Sequence, residues 1–91
     1  MSTGYASSNG LEVTQEPMQE ILPSPPPEWS MPYTFEKLSF YNETACSVII
    51  NNKYTIWLSA GRGFEVDYED VPVFSFVVIE ENTPYEFIGS Y

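Results

Sequence analysis

The sequence predicts an all-β fold: a small antiparallel β-sandwich or barrel of about six strands, preceded by an extended N-terminal arm. Two observations carry that reading. From Lys37 onward, apolar residues alternate with polar ones in short runs bounded by Asn, Gly, Pro or Asp, the pattern of half-buried strands joined by turns. Residues 1–34, by contrast, are polar, proline-rich and without a hydrophobic period able to build a core. The division is therefore an arm, residues 1–34, and a head, residues 35–91.

Within the arm, residues 1–12 are small and polar. Residues 14–22 offer a short helix, with Thr14 as N-cap, Pro17 in the first turn and Met18, Ile21 and Leu22 along one face. A helix of that length is marginal in water unless its apolar face docks. Pro23-Ser24-Pro25-Pro26-Pro27 ends it and favours a polyproline II spacer. Trp29, Met31 and Tyr33 follow as apolar anchors on a stiffened segment, poised either to cover the head or to tie it to another subunit.

The head opens with Lys37–Tyr41, Leu38 and Phe40 inward. Asn42-Glu43-Thr44 turns the chain into Ala45–Ile50, with Cys46, Val48 and Ile50 on one face. Asn51-Asn52 is a hairpin signal, because Asn tolerates the positive φ of a type I′ turn. Lys53–Leu58 returns with Tyr54, Ile56 and Leu58 on one face and Thr55 and Trp57 on the other, Trp57 being assigned to the core rather than to a ligand. The glycine-bearing turn Ser59–Gly63 leads to Phe64, Val66 and Tyr68, which alternate with Glu65, Asp67 and Glu69. Val73–Ile79 is apolar on both faces and belongs at the centre of a sheet. Tyr85, Phe87, Gly89 and Tyr91 close the last strand.

Composition removes several function classes. The formal charge is -10, with 13 acidic residues against Lys37, Lys53 and Arg62. Direct nucleic-acid binding and attraction to anionic membranes both need many cations, so neither is expected. With no histidine and one cysteine there is no disulfide, no common zinc site and no Ser–His or Cys–His nucleophile pair. Cys46, in register with Val48 and Ile50, reads as a core thiol. An enzyme is not expected, and neither a cofactor nor a metal is implied. Glu65, Asp67, Glu69 and Asp70 match no calcium loop and read as a charged outer face that discourages edge pairing. Arg62, the lone arginine, lies in a turn with no following helix, so it reads as a carboxylate or interface partner rather than part of a phosphate cradle. Trp57, Arg62 and Tyr91 are the head's candidates for ligand or subunit contact.

Met1-Ser2-Thr3-Gly4-Tyr5 shows no basic region followed by an apolar stretch, so no secretory signal is read there. Apolar runs such as Val77-Val78-Ile79 are too short to span a bilayer, so synthesis in a cytoplasm is expected. A core drawn from so few residues sits near the lower limit of independent stability, which points to support from oligomerisation or docking.

The cadence of the head carries a resemblance. Leu38-Ser39-Phe40-Tyr41-Asn42, Val48-Ile49-Ile50-Asn51, Ile56-Trp57-Leu58-Ser59-Ala60-Gly61-Arg62-Gly63-Phe64-Glu65, Val73–Ile79 and the closing Tyr85-Glu86-Phe87-Ile88-Gly89-Ser90-Tyr91 resemble the small β-domains of tailed-bacteriophage structural proteins. The resemblance covers residues 37–91 and implies a virion location: a capsid decoration, head-fibre, neck or tail accessory subunit, present in repeated copies or as a homo-oligomer. The implied partner is a major virion subunit, gripped by arm anchors Met18, Ile21, Leu22, Trp29, Met31 and Tyr33. Repetition would add many weak contacts by multivalency.

Two rivals stand beside this reading. A carbohydrate- or host-surface-binding module would stack Trp57 or the terminal tyrosines on sugars. An acidic DNA mimic would array carboxylates at phosphate spacing and lose its binding steeply with salt.

Overall fold

The computed structural model describes residues 4–25, 27–28 and 33–91. Every regular element among them is a β-strand: β1 Tyr5–Ser7, β2 Glu12–Val13, β3 Gln19–Glu20, β4 Lys37–Asn42, β5 Cys46–Ile50, β6 Tyr54–Leu58, β7 Phe64–Val66, β8 Phe76–Val78 and β9 Pro84–Ser90. One antiparallel sheet has the order β1-β9-β4-β7, with β2 also on β9. The second has the order β3-β8-β5-β6.

The pairings nest. Hairpin β5–β6 is innermost, β4 pairs β7 around it, β3 pairs β8 around that, and β1 with β2 pairs β9 outermost. Taking β1 and β2 as one interrupted strand, this is a single long hairpin folded over into two sheets, the topology of a double-sheet jelly roll.

Strand alternation builds the core as the sequence predicts. Leu38 and Phe40 from β4, Cys46, Val48 and Ile50 from β5, Leu58 from β6, Phe76 and Val78 from β8, and Tyr85 and Phe87 from β9 are buried in one cluster. β8 lies between β3 and β5, inside its sheet, as its double-sided apolarity requires. Asn51 and Asn52 both take the positive φ expected of them, 56° and 57°, and the Lys53 N–H donates to the Ile50 carbonyl at 3.1 Å. Gly63 (φ 69°) is required by space as well as by conformation, since a Cβ there would lie 2.7 Å from the Phe40 carbonyl oxygen.

The arm departs from expectation. Residues 14–22 form no helix, and the N-terminal segment is not a free extension. β1 and β2 run antiparallel along β9, from the Gly4–Tyr91 backbone pair to the Thr14–Thr83 pair. The chain then changes sheet. A turn at Pro17–Met18, with Met18 at φ 57°, delivers β3 to the edge of β8. Ile21 and Leu22 insert into the same core as the head residues. The physical reason is that a two-turn helix is worth little alone, whereas the open edges of β8 and β9 offer rows of unsatisfied backbone groups. The Glu20 carboxylate fastens this edge by accepting the Ser75 hydroxyl at 2.6 Å and the Phe76 N–H at 2.7 Å. The radius of gyration is 12.4 Å, close to the roughly 12 Å of a compact domain this long. The segment from Tyr5 to Leu22 thus belongs to the same sandwich as the head.

Two smaller corrections concern the number and the ends of the strands. Six predicted strands become nine segments among the described residues because the N-terminal segment supplies three. The strand predicted through Glu69 ends at Val66, because the following residues close a turn on themselves. The Tyr68 N–H donates to Asp67 Oδ1 at 2.7 Å and the Asp67 N–H to Asp70 Oδ2 at 2.9 Å.

Candidate interaction surface

The residues predicted to bind a partner scatter into different environments. Ile21 and Leu22 are buried in the chain's own core and have no surface to offer. Met18 stays exposed at 55% in the turn before β3. Trp29 and Met31 lie outside the described residues. Tyr33 packs on Tyr91, their ring centroids 4.2 Å apart, and meets Phe35 edge-on at 5.9 Å. Tyr91 in turn stacks on Phe35 at 5.9 Å. Tyr33 and Tyr91 therefore close one end of the sandwich around Phe35. Burial raises the Tyr33 phenol pKa, with further upward push from the hydrogen bond and charge of Tyr91 and from Glu28.

Trp57 is the strongest departure from expectation among the head residues. It projects from the outer face of β6 and is 62% exposed, so it does not serve the core. Its neighbours across the β5–β6 ladder are uncharged: Ser47 lies opposite Trp57, and Ile49 lies opposite Thr55. Val77 of β8 extends the second row beyond Ile49. That row ends on β3 at Glu20, opposite Val77, so the uncharged part of this outer face spans β8, β5 and β6, whereas the outer face of the other sheet carries Lys37, Glu65 and Glu86 among its exposed residues.

On the side opposite the arm, the two sheets part slightly between β6 and β7. A hollow of about 310 Å³ there is lined by Ile50, Tyr54 and Ile56 on one wall and Phe64, Val66 and Val73 on the other, with Glu65 and Asp70 also bordering it. Further along the same side Arg62, Leu58 and Ile56 border a second, more open hollow. Arg62 is exposed in the β6–β7 turn, its backbone N–H held by the Ser59 carbonyl at 3.0 Å.

The remaining candidates for chemistry are occupied structurally. Asp67 and Asp70 cap their own turn, and no cluster of three metal-ligating side chains occurs among the described residues. Cys46 is fully buried, and desolvation, followed by the nearby Glu80 carboxylate, pushes its thiol up to about 11. A thiol so disposed is protonated at neutral pH and a poor nucleophile.

Sequence reasoning missed Asn42 and Thr14. Asn42, read as turn chemistry, is buried and bridges two loops. Its Nδ2 donates to the Thr44 and Ser59 carbonyls, each at 2.9 Å, and its Oδ1 accepts the Gly63 N–H at 2.9 Å. A signal was present: Asn at the end of an alternating strand, in register with inward Leu38 and Phe40, falls on the buried face.

What the surface offers is an exposed aromatic on a weakly charged sheet face beside an open strand edge. Compared with known proteins, the chain matches no family model, no curated protein and no solved structure.

Proposed function

We propose that this chain is a non-enzymatic structural subunit of a tailed-bacteriophage virion, a capsid decoration or head, neck or tail accessory protein that sits on a larger assembly in repeated copies. The observation that carries the reading is the nested hairpin of two sheets, a jelly roll built from about ninety residues with its N-terminal segment laced into both sheets. Jelly rolls recur in viral capsid and lectin domains, so the support is an analogy of fold added to the resemblance of the head sequence. Because Ile21 and Leu22 are consumed by the chain's own core, attachment falls to the outer surface rather than to a free arm. Its acidic charge suits a protein displayed at high copy, where like charge opposes indiscriminate aggregation.

The test is quantitative mass spectrometry of purified particles made by the genome that encodes the chain. A fixed, multi-copy stoichiometry to the major subunit is the expected result. Absence from particles that are otherwise complete would sink the proposal.

One observation favours a second reading, a carbohydrate- or host-surface-binding module: Trp57 is exposed on the outer face of β6 with uncharged neighbours across the ladder, a setting in which an indole stacks on a sugar ring. Glycan-array binding that disappears in Trp57→Ala would carry that alternative.

A further inference from the structure

A sandwich has four strand edges, and each is a template for pairing with another chain unless something guards it. Three of the four are guarded. The β1/β2 edge is broken between Ser7 and Glu12 into segments of three and two residues. β3 has only two residues, carries Glu20, and lies between Pro17 and Pro23. β7 has three residues with Glu65 at its centre and Asp67, Glu69 and Asp70 just beyond. β6 has none of these devices. Its five residues, Tyr54-Thr55-Ile56-Trp57-Leu58, include no charge, proline or glycine, and among the described residues only β5 pairs with it.

Charge favours the same edge over β3 and β7. Residues 44–64 contain no Asp or Glu, and Lys53 and Arg62, two of the chain's three basic residues, flank β6. All 13 acids lie elsewhere in a chain of formal charge -10. Pairing through β3 or β7 brings Glu20 or Glu65 of two copies close, while approach through β6 brings no carboxylate of the strand itself to the seam, the nearest acids being Glu65 and Asp70 in the hollow beside it.

We propose that β6 is a self-association edge: two copies pair antiparallel about a two-fold axis through Ile56, joining their four-stranded sheets into one of eight. The register follows from symmetry and full overlap of the strand. Ile56 faces its own counterpart, Thr55 faces Trp57 of the second copy, and Tyr54 faces Leu58. Trp57 is then flanked by Thr55 of the second copy on the joined outer face, and the mainly apolar hollow beside Ile56 is narrowed, with Glu65 and Asp70 at its border. The contact is isologous and closes at two copies. It rests on the reading of the chain as a repeated structural subunit and names one of that subunit's contacts.

Sedimentation velocity on the purified full chain tests the contact. A dimer is expected, tightening as salt screens the mutual repulsion of two acidic copies. Trp57→Lys, at an exposed position, should keep the native circular dichroism spectrum yet weaken the dimer by roughly tenfold or more, as for an aromatic interface anchor. Register is read by mixing Thr55→Cys with Trp57→Cys under mild oxidation, since directly opposed Cβ atoms lie about 4.5–5.5 Å apart. The mixture should cross-link faster than either variant alone. A monomer at all concentrations, or a dimer indifferent to Trp57→Lys without preferential mixed cross-linking, would overturn the proposal. These outcomes leave the particle stoichiometry untouched, so failure of the edge and failure of the virion reading are separately visible.

Discussion

Thr14 and Thr83 are bonded to each other twice. The Thr14 N–H donates to the Thr83 carbonyl at 3.1 Å, and the Thr83 N–H donates to Thr14 Oγ1 at 2.9 Å. The Thr14 hydroxyl also donates to the Glu80 carbonyl at 2.9 Å, and the residue is wholly buried. This is where the N-terminal segment leaves one sheet for the other, so a single hydroxyl secures the crossover to the β8–β9 turn.

Thr14→Val keeps the shape of the side chain and leaves the buried Thr83 N–H without an acceptor. The expected loss is about 1–3 kcal/mol of unfolding free energy, the usual penalty for one unsatisfied buried group. Thr14→Ser should recover most of it. Urea denaturation of the three proteins measures both, and equal stability of the Val variant and wild type would refute the role assigned to the hydroxyl.

The arm is a structural part of the sandwich, so its removal should be severe. Deleting residues 1–22 strips β9 and β8 of their edge partners and removes Ile21 and Leu22 from the core. Each buried aliphatic side chain alone is worth roughly 2–5 kcal/mol on truncation to alanine, against a typical total stability of about 5–15 kcal/mol. The truncated chain should show no cooperative thermal transition. In the full chain, hydrogen exchange should find the Thr14 and Ile21 amides protected. A truncated head that melts cooperatively would restore the arm-and-head division.

How legible was this in the sequence? The head strands were, because Leu38/Phe40, Cys46/Val48/Ile50 and Tyr85/Phe87 repeat at the period of two that one buried face imposes. The Asn51-Asn52 turn was, because few residues accept positive φ. The arm was not. β1, β2 and β3 are two or three residues long, too short to display a period, and their partners lie 57–85 positions away in the chain. Backbone pairing of that kind leaves little trace in side-chain identity. Ile21 and Leu22 fit a helical face as well as a strand end, and only the vacant edge of β8 decides between them. Trp57 was misplaced for a related reason: periodicity separates two faces of a strand but does not reveal that the Thr55–Trp57 face has no second layer over it.

Asn42 offers a sharper test of buried polarity. Its amide donates to two loop carbonyls and accepts the Gly63 N–H, so neither end can be replaced by its opposite. Asn42→Leu should cost about 3 kcal/mol or more, since several buried groups lose partners together. Asn42→Asp places oxygen against the Thr44 and Ser59 carbonyls and should be at least as destabilising at neutral pH, with partial recovery on acidification as the carboxyl regains a proton to donate. Denaturation midpoints at neutral and acid pH measure this. Indifference of the Asp variant would mean that the side chain does not make these bonds in solution.

The pH profile of stability should fall on the alkaline side. Burial and Glu80 hold the Cys46 thiol up to about 11 against an ordinary value of 9.0, and burial followed by Glu12 raises Tyr85. A group whose pKa is raised on folding binds its proton more tightly in the native state. Its contribution is therefore complete below the unfolded pKa and is lost as pH rises through the folded one. For Cys46 that window runs from about 9 to about 11. Unfolding free energy should be level toward neutrality from pH 9 as far as these groups are concerned, and should decline above it. Cys46→Val and Tyr85→Phe should each make the decline shallower. Reaction of Cys46 with a thiol reagent at pH 8 should proceed at the rate of unfolding, accelerating with urea. A thiol that reacts at once in the native protein would place Cys46 outside the core.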